Sequence, residues 1–188
     1  FDECTSGFRE TFGGIHKKYG VSPDIAIFGK ALGNGYAITS IIGRSSVMES
    51  AQSTFISSTF WTERIGPSAA LKTLEIMEKE RSWEQITLKG EKLRNIWSDL
   101  ATKNDLEIEI NGIKALSGFS FKSKNNREYK NLITQEMLKK GFLASTTCYL
   151  STAHNSKVFE RYANCLDEVF KLIAKCENGY NINEMLKY

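Results

Sequence analysis

Apolar residues follow two rhythms along this chain, and each change of rhythm marks an element. The run Asp24-Ile25-Ala26-Ile27-Phe28-Gly29, bounded by Pro23 and Gly29, predicts a short buried strand. A second strand is predicted over Ala37–Gly43 after the Gly33-Asn34-Gly35 turn, which places Lys30 in the connection between two strands. From Gly66 or Pro67 to about Lys79 the spacing becomes helical, with Ala69, Ala70, Leu71, Leu74 and Met77 on the pattern and Pro67 tolerable in the first turn. A further helix is predicted over Ser82–Lys103, where Trp83, Ile86, Leu93, Trp97 and Leu100 form an apolar stripe that reads as core.

Beyond it, Leu106-Glu107-Ile108-Glu109-Ile110 alternates as a half-exposed strand does. Ala115–Phe121 reads as its hairpin or meander partner across an Asn111-Gly112 turn. A helix near Tyr129–Lys140, a strand near Phe142–Ser145, a last helix near Ser156–Lys175 and a loosely packed tail from Asn178 to Tyr188 complete the pattern. A long connecting helix followed by mixed strands and helices predicts a boundary near Glu80, with residues 81–188 forming a small α+β domain.

With 41% apolar and 25% charged residues in 188, the chain has ordinary globular composition. The net charge of +3 is dispersed, as in the mixed run Lys89–Arg94, so no nucleic-acid partner is expected. No apolar run reaches the length of a membrane span and no signal peptide opens the chain, so no membrane partner is expected either. Cys4, Cys148, Cys165 and Cys176 show neither CxxC nor metal-ligand spacing, which points to a reducing cytoplasm and no metal site. The opening Phe1-Asp2-Glu3 reads as the tail of a buried strand without neighbours, so the chain is expected to be the C-terminal piece of a longer polypeptide.

Three features bear on chemistry. Asp2 stands at a strand end, where a carboxylate can hold a protonated heterocyclic nitrogen or simply close a turn. Lys30, in Gly29-Lys30-Ala31-Leu32-Gly33, can attack an aldehyde if partial burial or a neighbouring cation lowers its pKa, though most lysines are merely solvated. The cluster Ser57-Ser58-Thr59 before a helix can bind phosphate or cap the helix. The glycine turn at Gly33–Gly35 precedes a strand rather than a helix and is a poor phosphate loop.

In combination these features resemble a family. Phe1-Asp2-Glu3-Cys4-Thr5-Ser6-Gly7-Phe8-Arg9, then Tyr19-Gly20-Val21-Ser22-Pro23-Asp24, then Gly29-Lys30-Ala31-Leu32-Gly33-Asn34-Gly35-Tyr36, is similar in order and spacing to class III aminotransferases. Within them it looks nearest to glutamate-1-semialdehyde aminomutases. Asp2 and Lys30 stand 28 positions apart, as in the family, and the resemblance reaches through Thr59 and Lys72-Thr73-Leu74-Glu75, and more faintly to Ala153-His154.

The resemblance implies an α/β, fold-type I pyridoxal 5'-phosphate (PLP) enzyme, with residues 1–80 in the large cofactor domain. It implies that Lys30 carries the cofactor as a Schiff base, that Asp2 pairs with the pyridine nitrogen, and that Cys4 packs against the ring. Thr59 would hold the phosphate of the neighbouring subunit, which implies a homodimer acting on a small-molecule amino donor and carbonyl acceptor. An aminomutase, which moves an amino group within one substrate, and a non-catalytic binding protein of the same fold are the alternatives. This chain departs from the family at Cys4, where valine is usual, at Thr5, where glutamine is common, and at Phe60-Trp61-Thr62-Glu63-Arg64.

Overall fold

The computed structural model describes residues 1–60 and 62–187. It divides into two compact units, Phe1–Gln85 and the remainder from Ile86.

In the first unit, β1 (Ile25–Phe28) and β2 (Ser40–Gly43) form an antiparallel pair, with Ile25 opposite Gly43 and Phe28 opposite Ser40. β2 begins three residues later than its apolar pattern predicts. Ala37 and Ile38 instead pack on the start of α2 (Ile65–Glu80), where a Cβ on Gly66 would lie 2.7 Å from the Ala37 carbonyl oxygen. Between β2 and α2 lies the short helix α1 (Ser45–Met48). Phe1–Glu3 is extended beside β1 through a single parallel bridge at Asp2, but Phe1 is exposed, so the expected buried strand is reduced to one ladder step. Ala26, Phe28, Leu32 and Ala70 form the small core, against which Phe8, Ile38 and Leu74 pack.

α3 (Ser82–Lys103) matches its predicted span and places Ile86, Leu93 and Trp97 in the second unit's core. That unit holds a three-stranded antiparallel sheet in the order β3 (Ile108–Ile113), β4 (Leu116–Phe121), β5 (Thr147–Tyr149). It also holds α4 (Asn126–Lys139) and α5 (Ser156–Glu177), the latter capped by the Asn155 side chain on the Val158 N–H. Phe119 and Phe121, two apart on β4, share a face and meet Phe170 at 5.9 and 5.6 Å between centroids, while Phe119 meets Trp97 at 4.8 Å.

Three expectations are corrected here. Asn111-Gly112 is not the hairpin turn: both residues lie inside β3, opposite Gly118 and Ser117, and the chain reverses at Lys114–Ala115. Gly112 serves a left-handed φ of +76° and a close approach, since a Cβ there would meet the Leu116 carbonyl oxygen at 2.3 Å. Phe142–Ser145 is not a strand: Gly141 and Phe142 close the end of α4 by donating N–H groups to Leu138 and Met137, and β5 takes the place beside β4. The tail through Lys187 is docked rather than loose, with Ile182 buried, Met185 and Leu186 against the core, and Gln135 bonded to the Met185 carbonyl and the Lys187 N–H.

Candidate active site

β1 ends at Phe28, and the chain turns at once into a short 3-10 helix, Lys30–Leu32. Ala31 and Leu32 are buried and anchor this turn, which leaves Lys30 exposed at the strand end. Lys30 adopts φ +42°, a left-handed conformation that costs a non-glycine residue about 1–2 kcal/mol. The Leu32 N–H to Gly29 carbonyl bond (2.9 Å) and the Asn34 N–H to Lys30 carbonyl bond (3.0 Å) hold it there. Such conformations persist where surrounding structure enforces them, and they gather at functional sites.

The first residues of the chain face this lysine. The Lys30 ammonium donates a hydrogen bond to the Thr5 hydroxyl. Asp2 accepts the Cys4 N–H on Oδ1 at 3.0 Å, and its carboxylate is exposed. The Cys4 backbone hydrogen bond, then the Cys4 side chain, hold the Asp2 carboxyl below the usual carboxylate range, and the Lys30 charge adds to them. Burial, then the neighbouring Asp2, push the Cys4 thiol up, so Cys4 remains a neutral, compact wall of the site. A Cβ on Gly29 would lie 3.4 Å from the Thr39 methyl and 3.5 Å from the Cys4 sulfur, so small groups line the floor beside the lysine.

The structure thus brings Asp2, Cys4 and Lys30 together and leaves Thr59 apart. Thr59 is exposed in the turn before α2, and among the described residues no hydrogen bond or ion pair joins it to the other three. The cluster Ser57–Thr59 does not cap α2 either. Glu63 does so, through its carboxylate on the Ile65 and Gly66 N–H groups. Trp61, within the run that departs from the family pattern, lies outside the described residues. Lys30 is exposed rather than partly buried in this chain.

Sequence reasoning gave Thr5 only as a departure from the family pattern and passed over Glu3, a buried carboxylate one residue from Asp2. Alternation along an extended segment was the available signal, since it sends neighbours to opposite sides. Among the described residues no cluster of His, Cys, Asp and Glu suits a metal ion, and no helix is long and apolar enough to cross a membrane. A cavity of about 230 Å³ in the second unit, between Phe159, Tyr162, Cys148 and His154, contains none of the four predicted site residues.

Residues 1–159 match the family model for class-III aminotransferases. The chain belongs to that family. A 3-aminobutyryl-CoA aminotransferase of Cloacimonas acidaminovorans is 37% identical over 136 residues, covering 72% of this chain and 33% of the relative. A glutamate-1-semialdehyde 2,1-aminomutase of Neisseria meningitidis is 26% identical over 191 residues, covering 93% of this chain and 45% of the relative. This class-III chain therefore spans between a third and a half of the length of these relatives.

Among solved structures, the FumI protein of Sphingopyxis sp. MTA144, in its PLP internal aldimine form, superposes with a TM-score of 0.87 at 21% identity. The match covers 98% of this chain and 45% of that one. An omega-transaminase from Sphaerobacter thermophilus gives 0.80 at 18% identity, over 93% and 44%. At these identities the likeness establishes the fold, which is that of the fold-type I PLP-dependent transaminases.

Proposed function

We propose that the full-length protein is a PLP-dependent aminotransferase that moves an amino group from a small-molecule donor to an aldehyde or ketone acceptor, with Lys30 as the covalent attachment point. The observation that carries this reading is the local geometry of Lys30. It is exposed and left-handed at the end of β1, bonded to Thr5, and beside a carboxylate held ionised at Asp2. The residues fit the cofactor: an open amine, an open carboxylate and a floor of small groups at Cys4, Thr5 and Gly29 leave room for a flat ring.

PLP, when bound, supplies an electron sink for the carbon that loses a proton. This chain's residues supply the rest. Asp2, held ionised, would keep a proton at the pyridine nitrogen, Cys4 would pack beside the ring as a neutral thiol, and Thr5, which accepts a hydrogen bond from Lys30, would orient its amine. Lys30 would hold the cofactor and, as a free amine beside it, would be the base that carries a proton between carbon positions.

In this proposal residues 1–80 are part of the large cofactor domain and 81–188 the small domain. Thr59 serves the phosphate of a neighbouring subunit in a homodimer, which fits a threonine exposed and detached from its own chain's site. The free state of all four cysteines fits a reducing cytoplasm. Sedimentation of the full-length protein tests the dimer, and a monomeric species that retains full activity would remove the Thr59 role.

An amino donor and acceptor screen on the full-length protein, read by cofactor absorbance, tests the reaction. 3-Aminobutyryl-CoA belongs among the donors because the relative at 37% identity is named for it. Transfer that requires two substrates is the expected result. Isomerisation of a single amino aldehyde without a donor would favour the aminomutase reading, which the Neisseria relative supports. No exchange of the cofactor with any amine would leave the non-catalytic reading.

A further inference from the structure

Glu3 is a carboxylate with 2% of its surface exposed, one residue from Asp2. A charge at that depth is stable only where donors replace water, and four do. Oε2 accepts the Ile15 N–H at 2.6 Å and the Ser6 hydroxyl at 3.2 Å. Oε1 accepts the His16 N–H at 3.1 Å and lies 2.6 Å from His16 Nδ1. The short helix Ile15–Tyr19 has no side-chain cap from Gly14, and Glu3 meets its first N–H groups from across the loop.

The same residue is tied down by its backbone. Its N–H donates to the Ile27 carbonyl of β1 at 2.8 Å, and its carbonyl accepts the Gly7 N–H at 2.9 Å. No side chain fits between these contacts. A Cβ on Gly14 would lie 2.8 Å from Glu3 Oε1 and 2.2 Å from the His16 ring, and one on Gly7 would lie 2.8 Å from the Glu3 carbonyl oxygen. Burial pushes the Glu3 carboxyl up, but the Ile15 and His16 N–H groups and the His16 ring outweigh it, so the group stays ionised. The extended backbone at Asp2 and Glu3 turns their side chains to opposite sides, one to solvent and one into this cage.

We infer that Glu3 is a positioning residue: by closing the loop from Glu3 to His16 onto the edge of β1, it fixes Asp2 and Thr5 relative to Lys30. Glu3 touches neither Lys30 nor the cofactor space and acts through its neighbours. The inference rests on the PLP reading of Lys30 and Asp2. A buried carboxylate that served folding alone would leave the electrostatics of the site unchanged when replaced by an amide that folds.

The test uses full-length, PLP-loaded protein and the pH titration of the bound chromophore's absorbance, with kcat and KM measured alongside. Glu3→Gln keeps the size but removes the charge and turns its one amide NH2 toward either the Ile15 and Ser6 donors or the His16 donors. It is expected to shift the titration midpoint and to lower kcat by about tenfold or more, with a smaller change in KM. His16→Ala, which removes one donor and leaves the carboxylate, is expected to shift the midpoint in the same direction by less, and it decides the matter if Glu3→Gln does not fold. Wild-type titration and kcat in a folded Glu3→Gln protein with a lowered melting temperature, or in His16→Ala where the first variant is insoluble, would overturn the role. A wild-type protein without a titrating PLP chromophore would remove the cofactor reading itself, and this inference with it.

Discussion

Replacing Asp2 by asparagine separates the charge of this residue from its shape. The amide oxygen can still accept the Cys4 N–H that lies 3.0 Å from Oδ1. The backbone bonds on either side, Glu3 N–H to Ile27 and Ile27 N–H to Phe1, do not involve the side chain. The turn should therefore survive. What disappears is a carboxylate that the Cys4 N–H, the Cys4 side chain and Lys30 keep ionised through the neutral range. In the proposed role, its loss leaves the proton on the pyridine nitrogen without that charge, and the electron sink weakens.

Removing one preorganised electrostatic contact from an active site slows chemistry by about a hundred- to a thousandfold, and we expect a loss of that order. The assay is single-turnover: mix amino donor with PLP-loaded Asp2→Asn and follow the cofactor's absorbance, after confirming by borohydride trapping that Lys30 is still loaded. A rate within about twofold of wild type at full occupancy would refute the reasoning, because it corresponds to well under 1 kcal/mol of barrier. Asp2 would then be a turn residue whose task ends at the Cys4 N–H.

Two further outcomes follow from the second unit. Trp97 is fully buried and donates its indole N–H to the Tyr162 hydroxyl at 3.0 Å, so Tyr162→Phe strands a buried donor and should cost about 1–3 kcal/mol in denaturant melts; an unchanged midpoint would mean the indole finds another acceptor. For Asp167, burial pushes the carboxyl up, but Lys103, Lys171 and Asn104 outweigh it, and its pKa falls on folding. Its stabilisation is thus complete at neutral pH and is lost as pH drops below the unfolded value of about 3.9. Asp167→Asn should cost near the low end of about 1.5–3 kcal/mol at pH 7, since both ammonium groups are more than half exposed. The gap to wild type should begin to narrow as pH falls below that unfolded value and should go on narrowing toward the depressed folded one, and a gap independent of pH would contradict the assignment.

Long periodic stretches are legible in the sequence. The stripe of Ile86, Leu93 and Trp97 defined α3 to its ends because a helix that buries one face must repeat its apolar residues on the helical period. Short segments were less so. Asn111-Gly112 carries a hairpin signal, yet the ladder from Ile108↔Phe121 to Ile113↔Leu116 uses the glycine inside the strand and turns two residues later. Phe142–Ser145 opens with three apolar residues, enough to suggest a strand, but the Phe142 N–H goes to the Met137 carbonyl at the end of α4. In both places tertiary pairing overrode a local preference.

The site divides in the same way. Asp2 and Lys30 were legible as a spaced pair, and the parallel bridge between Asp2 and Ile27 explains physically why a residue near the start stands beside one that follows β1. Glu3 was not legible, since nothing in an isolated glutamate reveals that four donors from residues 6, 15 and 16 converge on it. The Glu63 cap of α2 was hidden for a related reason. Ser57–Thr59 has the residue types of a cap, but it stands too far upstream, and Glu63, two residues before the helix begins, reaches the free N–H groups instead.

The central claim is that Lys30 carries the cofactor, and borohydride reduction of the PLP-loaded full-length protein followed by peptide mass spectrometry tests it most directly. The account predicts a phosphopyridoxyl adduct on the peptide containing Gly29-Lys30-Ala31, and none in Lys30→Ala; an adduct of equal yield on any other lysine, or one that persists in Lys30→Ala, would contradict it.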